Sequence, residues 1–154
     1  MASYRHLSRI AVMQTIFEYE FLSACERKDS KLAKLDPKKL LKYNINQVAD
    51  KIRDTSFAEQ TLKGVLAKKK KIYEIIQENA PEWPVDKIAP VDRAILEIGV
   101  YEIVFTEDIP PVVAINEAIE IAKSYGDTNA PKFINGVLSS VMTKYKKPSL
   151  KDKK

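Results

Sequence analysis

Residues 112–141 read VVAINEAIEIAKSYGDTNAPKFINGVLSSV, and this stretch constrains the fold more than any other. Its first half places apolar side chains at Ile115, Ala118, Ile119 and Ala122, the i, i+3, i+4, i+7 spacing of one helical face. The second half does the same at Ile134, Val137, Leu138, Val141 and Tyr145. Between them, SYGDTNAP makes a short polar corner. Gly126 is expected to end the first helix in the left-handed conformation and Pro131 to sit in the first turn of the next.

Phe133 projects to one side of the stripe formed by Ile134, Val137, Leu138 and Val141, next to Lys132 in that first turn. An aromatic beside a lysine, near free helix N–H groups, suits a base and its phosphate. It equally suits closure of the core at a helix end. The residues alone leave both open.

The chain of 154 residues fits one domain, or two small subdomains sharing a core, without needing covalent staples. A single cysteine, Cys25, forbids an internal disulfide and suits a reducing cytoplasm. No apolar run approaches the ~20 residues of a membrane span, and MASYRHLSRI lacks the apolar segment of a signal peptide. A soluble, cytoplasmic protein is expected.

The net charge of +5 is unevenly placed. Six lysines and one aspartate lie from Lys144 onward, leaving 26 − 6 = 20 basic and 21 − 1 = 20 acidic residues before it. The body is thus neutral and the tail carries the excess. Within the body, residues 1–17 hold Arg5 and Arg9 without an acid, whereas Asp86 to Asp127 hold nine acids against Lys87, Arg93 and Lys123. One end suits phosphates and the other a basic protein, although solvated helix faces would give the same counts.

Taken in order, Ser3 can cap a first helix to about Ser23, with Leu7, Ile10, Ala11, Gln14, Phe17 and Phe21 facing inward. Arg5, His6 and Arg9 then share its other side as a small cationic edge. Glu26 to Asn44 turns lysine-rich and reads as a loop carrying a short helix, with Asp36 as N-cap and Pro37 in the first position. A long helical pattern runs from Ile45 to Asn79, with Gly64 able to bend or break it. The run Lys68 to Lys71 spreads around a full turn and reads as a solvated turn.

The proline-dense APEWPVDKIAP, Ala80 to Pro90, divides the chain, with Trp83 expected to pack as a hinge between the halves. Pro90 opens a helix that ends before Asp108, with Asp92 and Glu97 on its polar sides, and Pro110 and Pro111 start the following one. No segment alternates with period two for long. An all-α structure is therefore expected.

Enzyme chemistry is missing from the pattern. Four glycines form no phosphate loop, and with one histidine there is no Cys/His set for zinc and no Ser/His/Asp set. No catalytic residue, metal site or cofactor is expected, and binding is the better reading.

Four blocks, RHLSRIAVMQTIFEYEF, PVDRAILEIGVYEIVF, DIPPVVAINEAIEIAKSYG and KFINGVLSSV, resemble the NusB family of bacterial transcription antitermination factors in order and spacing. INEAIEIAKSYG followed by KFINGVL is the specific combination. The resemblance implies two small helical bundles packed together: one domain over residues 1–147, with subdomains at about 1–80 and 84–147. Residues 148–154 are expected to form a disordered basic tail.

The resemblance also implies binding of single-stranded boxA-type RNA from ribosomal RNA transcripts. It implies partnership with the ribosomal protein that doubles as NusE, and entry into an RNA polymerase complex that suppresses termination, with no membrane involved. The family's arginine-rich N-terminus falls on Arg5, His6 and Arg9, and its RNA-contacting Lys-Phe pair on Lys132 and Phe133. Phe17 matches a position near the RNA surface, and Asp92 an acidic position facing NusE. Two arginines stand where relatives often place three or four, which lowers the electrostatic share of RNA affinity. Asn129 replaces a usual acid and repels phosphate less, so it joins the RNA-binding set. Ala130 stands where a capping serine is frequent, leaving Asn129 to cap.

Two other readings fit the residues. One is a helical protein-interaction module without specific RNA binding, in which the acidic half does the work. The other, the NusB-like domain attached to RNA cytosine methyltransferases, would require a catalytic domain beyond Lys154, so that activity is not expected.

Overall fold

The computed structural model describes residues 4–26, 36–48 and 54–145. They form seven α-helices and one 3₁₀ turn, with no strand among the described residues, as the absence of period-two alternation requires. No helix among them is long and apolar enough to cross a membrane. The Ser3 cap, most of the lysine-rich loop and the basic tail lie outside the described residues.

The chain divides into two compact units, residues 1–67 and 68–154. The first holds α1 (Tyr4–Glu26), α2 (Pro37–Val48) and α3 (Ser56–Ala67), with α1 packed against both others. Aspartates start the two shorter helices. Asp36 Oδ1 accepts the Lys38 N–H at 3.0 Å and Asp54 Oδ1 accepts the Ser56 N–H at 2.9 Å, each satisfying a donor that the helix cannot. The Asp36 cap and Pro37 start are as expected, but α2 runs on through Ile45 to Val48 because Leu41 and Ile45 bury one turn apart.

The inward face of α1 differs from expectation. Ala11, Val12, Met13 and Ile16 are buried, Phe17 is half-buried and Phe21 is 57% exposed. With α2 and α3 both against α1, the buried arc is wider than one stripe and turns away from Phe21. Thr15 lies inside this arc. Its hydroxyl donates to Ala11 O at 2.7 Å and accepts the Asn44 amide at 3.0 Å, so both buried polar groups are paired.

The second unit holds α4 (Lys69–Asn79), the 3₁₀ turn Val85–Lys87, α5 (Pro90–Phe105), α6 (Pro111–Tyr125) and α7 (Ala130–Lys144). The helical pattern expected from Ile45 to Asn79 is instead divided: its start belongs to α2, α3 begins only at Ser56 after non-helical Asp54 and Thr55, and the break expected at Gly64 falls four residues later at Lys68, whose backbone (φ −104°, ψ 13°) leaves helical geometry. Helix α4 buries Ile72, Ile75 and Ile76 and packs on α5 and α7. It thus groups with the C-terminal helices, whereas the proline-based division placed it with the N-terminal ones. At its start Lys68 Nζ lies 5.6 Å from the centroid of the Phe105 ring at the end of α5, and Lys69 Nζ 5.4 Å from that of Tyr73.

Helix α5 touches α4, α6 and α7 and is buried on nearly every side. Asp92 and Glu97, expected on polar sides, are 8% and 0% exposed for that reason. At Gly99 an added Cβ would fall 2.6 Å from Leu138 Cδ1, so the missing side chain admits α7.

Asn44→Ala deletes the buried hydrogen bond to Thr15 and is expected to lower unfolding free energy by about 1–3 kcal/mol. Urea titration checks it, and a change within error would mean the pair contributes no net stability.

Candidate functional site

The corner between α6 and α7 positions the residues that the sequence singled out. Helix α6 ends as Gly126 N–H donates to Ala122 O at 2.8 Å, but Gly126 is extended (φ −93°, ψ 179°) rather than left-handed. Glycine serves here for closeness: a Cβ would lie 2.5 Å from Ala130 Cβ and 3.1 Å from Asp92 Oδ1. Ala130, 1% exposed, is small for the same reason. Asn129 occupies the N-cap position of α7 without a side-chain capping bond, contrary to expectation, because its αR backbone (φ −91°, ψ −11°) lacks cap geometry. Its own N–H is held by Asp127 Oδ1 at 2.9 Å.

This corner also changes what the helix start offers an anion. Ala130 N–H is already bonded to Asp127 O at 3.1 Å, and Pro131 has no N–H. Fewer helix donors are available than expected. The exposed Lys132 ammonium becomes the main cation of the corner.

Phe133 is half-buried and lines a groove of about 550 Å³ together with Asn79, Pro81, Glu82, Trp83, Asn129 and Lys132. Trp83 is 55% exposed on this groove. The expectation that it packs as a hinge fails because the connector turns its ring outward while Val85 and Ile88, at 8% and 5% exposure, take the buried places. Two aromatic side chains, a lysine, two primary amides and the Glu82 carboxylate therefore share one concave surface. Flat π-faces with an adjacent cation suit an unstacked base and its phosphate. Trp83 was missed as a groove residue because a tryptophan in a proline-rich connector carries no facing information by itself.

In the first unit, the Arg5 and Arg9 guanidinium carbons lie 4.6 and 5.0 Å from the centroid of the Phe57 ring. Cation–π attraction of this kind contributes about 0.5–2 kcal/mol. Arg5 is exposed, His6 half-buried and Arg9 only 3% exposed, so the expected cationic edge is graded from surface to interior. No spacing rule links Phe57 to residues some fifty positions earlier. Phe17 stacks on Phe21 with centroids 6.3 Å apart and planes 18° from parallel. Asn129, Lys132 and Phe133 thus share one groove in the second unit, Arg5 and Arg9 share one ring in the first, and Phe17 belongs to a separate aromatic pair.

Asp92 sits in the first turn of α5 beside Gly126 and does not line the groove. Burial pushes its carboxyl above the ordinary carboxylate range, and the charge of Asp127 adds to the shift. A first-turn position favours the anion, so burial outweighs the helix dipole here. A group with this character is suited to a cation brought by a partner.

The model of the NusB family matches residues 6–143. The chain is 39% identical over 137 residues to the transcription antitermination protein NusB of Bacillus pumilus, covering 89% of this chain and 93% of that one. Among solved structures, T. maritima NusB is 31% identical with a TM-score of 0.74, covering 94% of each chain. A chain from the crystal structure of antitermination factors NusB and NusE in complex with dsRNA is 23% identical. That likeness of fold has a TM-score of 0.75 and covers 94% of this chain and 100% of that one.

Asp92 also gives a pH test. An acid whose pKa rises on folding holds its proton more tightly in the native state, so its unfavourable contribution is absent below the unfolded pKa and grows as pH rises through the folded one. Asp92→Asn should therefore raise Tm at about pH 7 and leave it nearly unchanged at about pH 3. Thermal melts at both values check this, and a lower Tm at neutral pH would reverse the assigned sign.

Proposed function

The chain belongs to the NusB family, and from that premise we propose that it is a non-catalytic, cytoplasmic transcription antitermination factor. It binds single-stranded boxA-type RNA of ribosomal RNA transcripts together with the ribosomal protein NusE. The assembly joins elongating RNA polymerase and suppresses termination.

The observation that carries this reading is the groove on which Trp83, Phe133, Lys132 and Asn129 meet. Stacking on an aromatic ring contributes about 1–3 kcal/mol per base and tolerates any base. Lys132 supplies the phosphate contact beside it, and the Asn129 amide offers both a donor and an acceptor to a base edge. Because Asn129 is neutral, the groove mouth carries no added repulsion of phosphate from this position.

The Arg5, His6 and Arg9 cluster adds a second cationic contact. Arg5, being exposed, meets the backbone of the RNA, while Arg9 acts from beneath by sharing the Phe57 ring. Phe17, with Phe21, extends the aromatic surface of α1. Asp92 faces the protein partner: a cation from NusE would relieve the unfavourable burial of its charge. Each contact is modest, and joint binding of RNA and NusE makes the second engagement intramolecular.

Fluorescence anisotropy with labelled boxA-type RNA and a scrambled control, with and without NusE and over a salt series, tests the reading. Preference for boxA that grows with NusE is expected. Phe133→Ala should weaken boxA binding by about 5- to 100-fold while leaving Tm within a few degrees, and Arg5→Ala should reduce the salt slope by about one. Equal binding of both RNAs regardless of NusE would leave the protein-interaction module standing instead. Loss of NusE affinity in Asp92→Asn with RNA affinity intact is the expected signature at the partner surface.

A further inference from the structure

The connector that carries Trp83 has little regular structure to hold it. Pro81 and Pro84 flank Glu82 and Trp83 and offer no N–H, and the backbone bonds on either side of Trp83 are its own N–H to Ala80 O at 3.1 Å and Lys87 N–H to Pro84 O at 2.8 Å. One side chain makes up the difference. Gln77, in the last turn of α4, donates from Nε2 to Trp83 O at 3.0 Å and to Ala80 O at 3.4 Å. Its Oε1 accepts the Val85 N–H at 3.0 Å. Both amide donors and the amide acceptor are thus engaged with the connector's backbone.

The three bonds bracket Trp83. They fix the Ala80 carbonyl that opens the turn, the Trp83 carbonyl itself and the Val85 N–H two residues beyond, and Val85 anchors that far end by burying its side chain. Helix α4 is itself tied to α7, since Ser140 Oγ donates to Asn79 Oδ1 at 2.6 Å and the Tyr145 hydroxyl donates to Glu78 Oε2 at 3.0 Å. Gln77 therefore links the Trp83 wall of the groove to the same framework that holds the Phe133 wall.

We propose that Gln77 is the positioning residue of the groove: it holds Trp83 ready to stack on a base without itself touching RNA. The proposal rests on the reading of this groove as an RNA site. Its benefit is entropic. A ring already fixed in place does not have to be ordered on binding, which for one side chain and its loop is worth a two- to tenfold change in affinity. Only a primary amide of this length supplies two donors and an acceptor at once. Glutamate keeps the acceptor for Val85 N–H but sets a carboxylate against two carbonyl oxygens, and leucine keeps only the bulk.

Trp83 is the single tryptophan of the chain, so its fluorescence reports this one position. In the full-length protein without RNA, Gln77→Leu and Gln77→Glu should both increase the fast component of Trp83 anisotropy decay while far-UV circular dichroism stays helical. Both should weaken binding of boxA-type RNA two- to tenfold. In a Trp83→Ala background the same Gln77 changes should have no further effect on RNA affinity, because there is no ring left to position.

Unchanged Trp83 motion, or a Gln77 effect that persists in full without Trp83, would overturn the positioning role. If Gln77→Leu loses helical signal, Gln77→Glu carries the same comparison. Failure of the RNA site itself looks different: Phe133→Ala and Trp83→Ala would then both bind boxA like the wild type, while Trp83 would still loosen on loss of Gln77.

Discussion

The second unit depends on how close α7 can come to α5. Gly99 lies where a side chain would enter the space of Leu138, which is fully buried. This approach sets α7 in place, and the Ser140–Asn79 hydrogen bond then fixes α7 against the end of α4. The groove between the start of α7 and the Ala80–Val85 connector follows from these two constraints. Its shape is decided by core packing at Gly99 and Leu138 together with a bond to Asn79, which itself lines the groove.

A second close contact sets the mouth of the groove. Gly126 and Ala130 meet at a separation that excludes a Cβ on the glycine, so α6 must turn into α7 within a few residues. That tight turn presents Asn129, Lys132 and Phe133 on the groove and leaves Asp92 beneath Gly126, where burial raises its pKa. One corner therefore serves two surfaces. The polar side chains above it suit a nucleic acid, while the buried carboxylate below it suits a cationic partner. Changes at Gly126 are expected to disturb both.

Much of this was legible in the sequence because it depends on local rules. Helical periodicity identified α5, α6 and α7, prolines marked the starts of α5 and α6, and Asp36 marked that of α2. The prolines and helical spacing also put Lys132 and Phe133 at the start of α7. What was misread depends on tertiary context. Gly126 looked like a left-handed stop, but its requirement is steric and comes from Ala130 and Asp92. Asp92 and Glu97 looked solvated, but α5 is enclosed by three helices. Trp83 looked like a packed hinge, but it is exposed, on a connector whose backbone Gln77 holds. Phe57 could not be linked to Arg5 and Arg9 by any sequence spacing, since the contact joins α3 to α1.

On the proposed reading, aromatic stacking has to do more than charge. The chain carries two N-terminal arginines, and one of them is buried over Phe57, which leaves Arg5 and Lys132 as the exposed cations of the two clusters. Two phosphate contacts give a shallow salt dependence and little affinity at physiological ionic strength. Two stacked bases contribute about 2–6 kcal/mol, a larger and salt-tolerant share, but only if the rings are held before the RNA arrives. Preorganisation of Trp83 is therefore the quantity on which affinity turns in this chain, and a partner that adds its own RNA contacts multiplies it rather than replacing it. A thinned arginine motif and a well-braced aromatic groove are two sides of one balance.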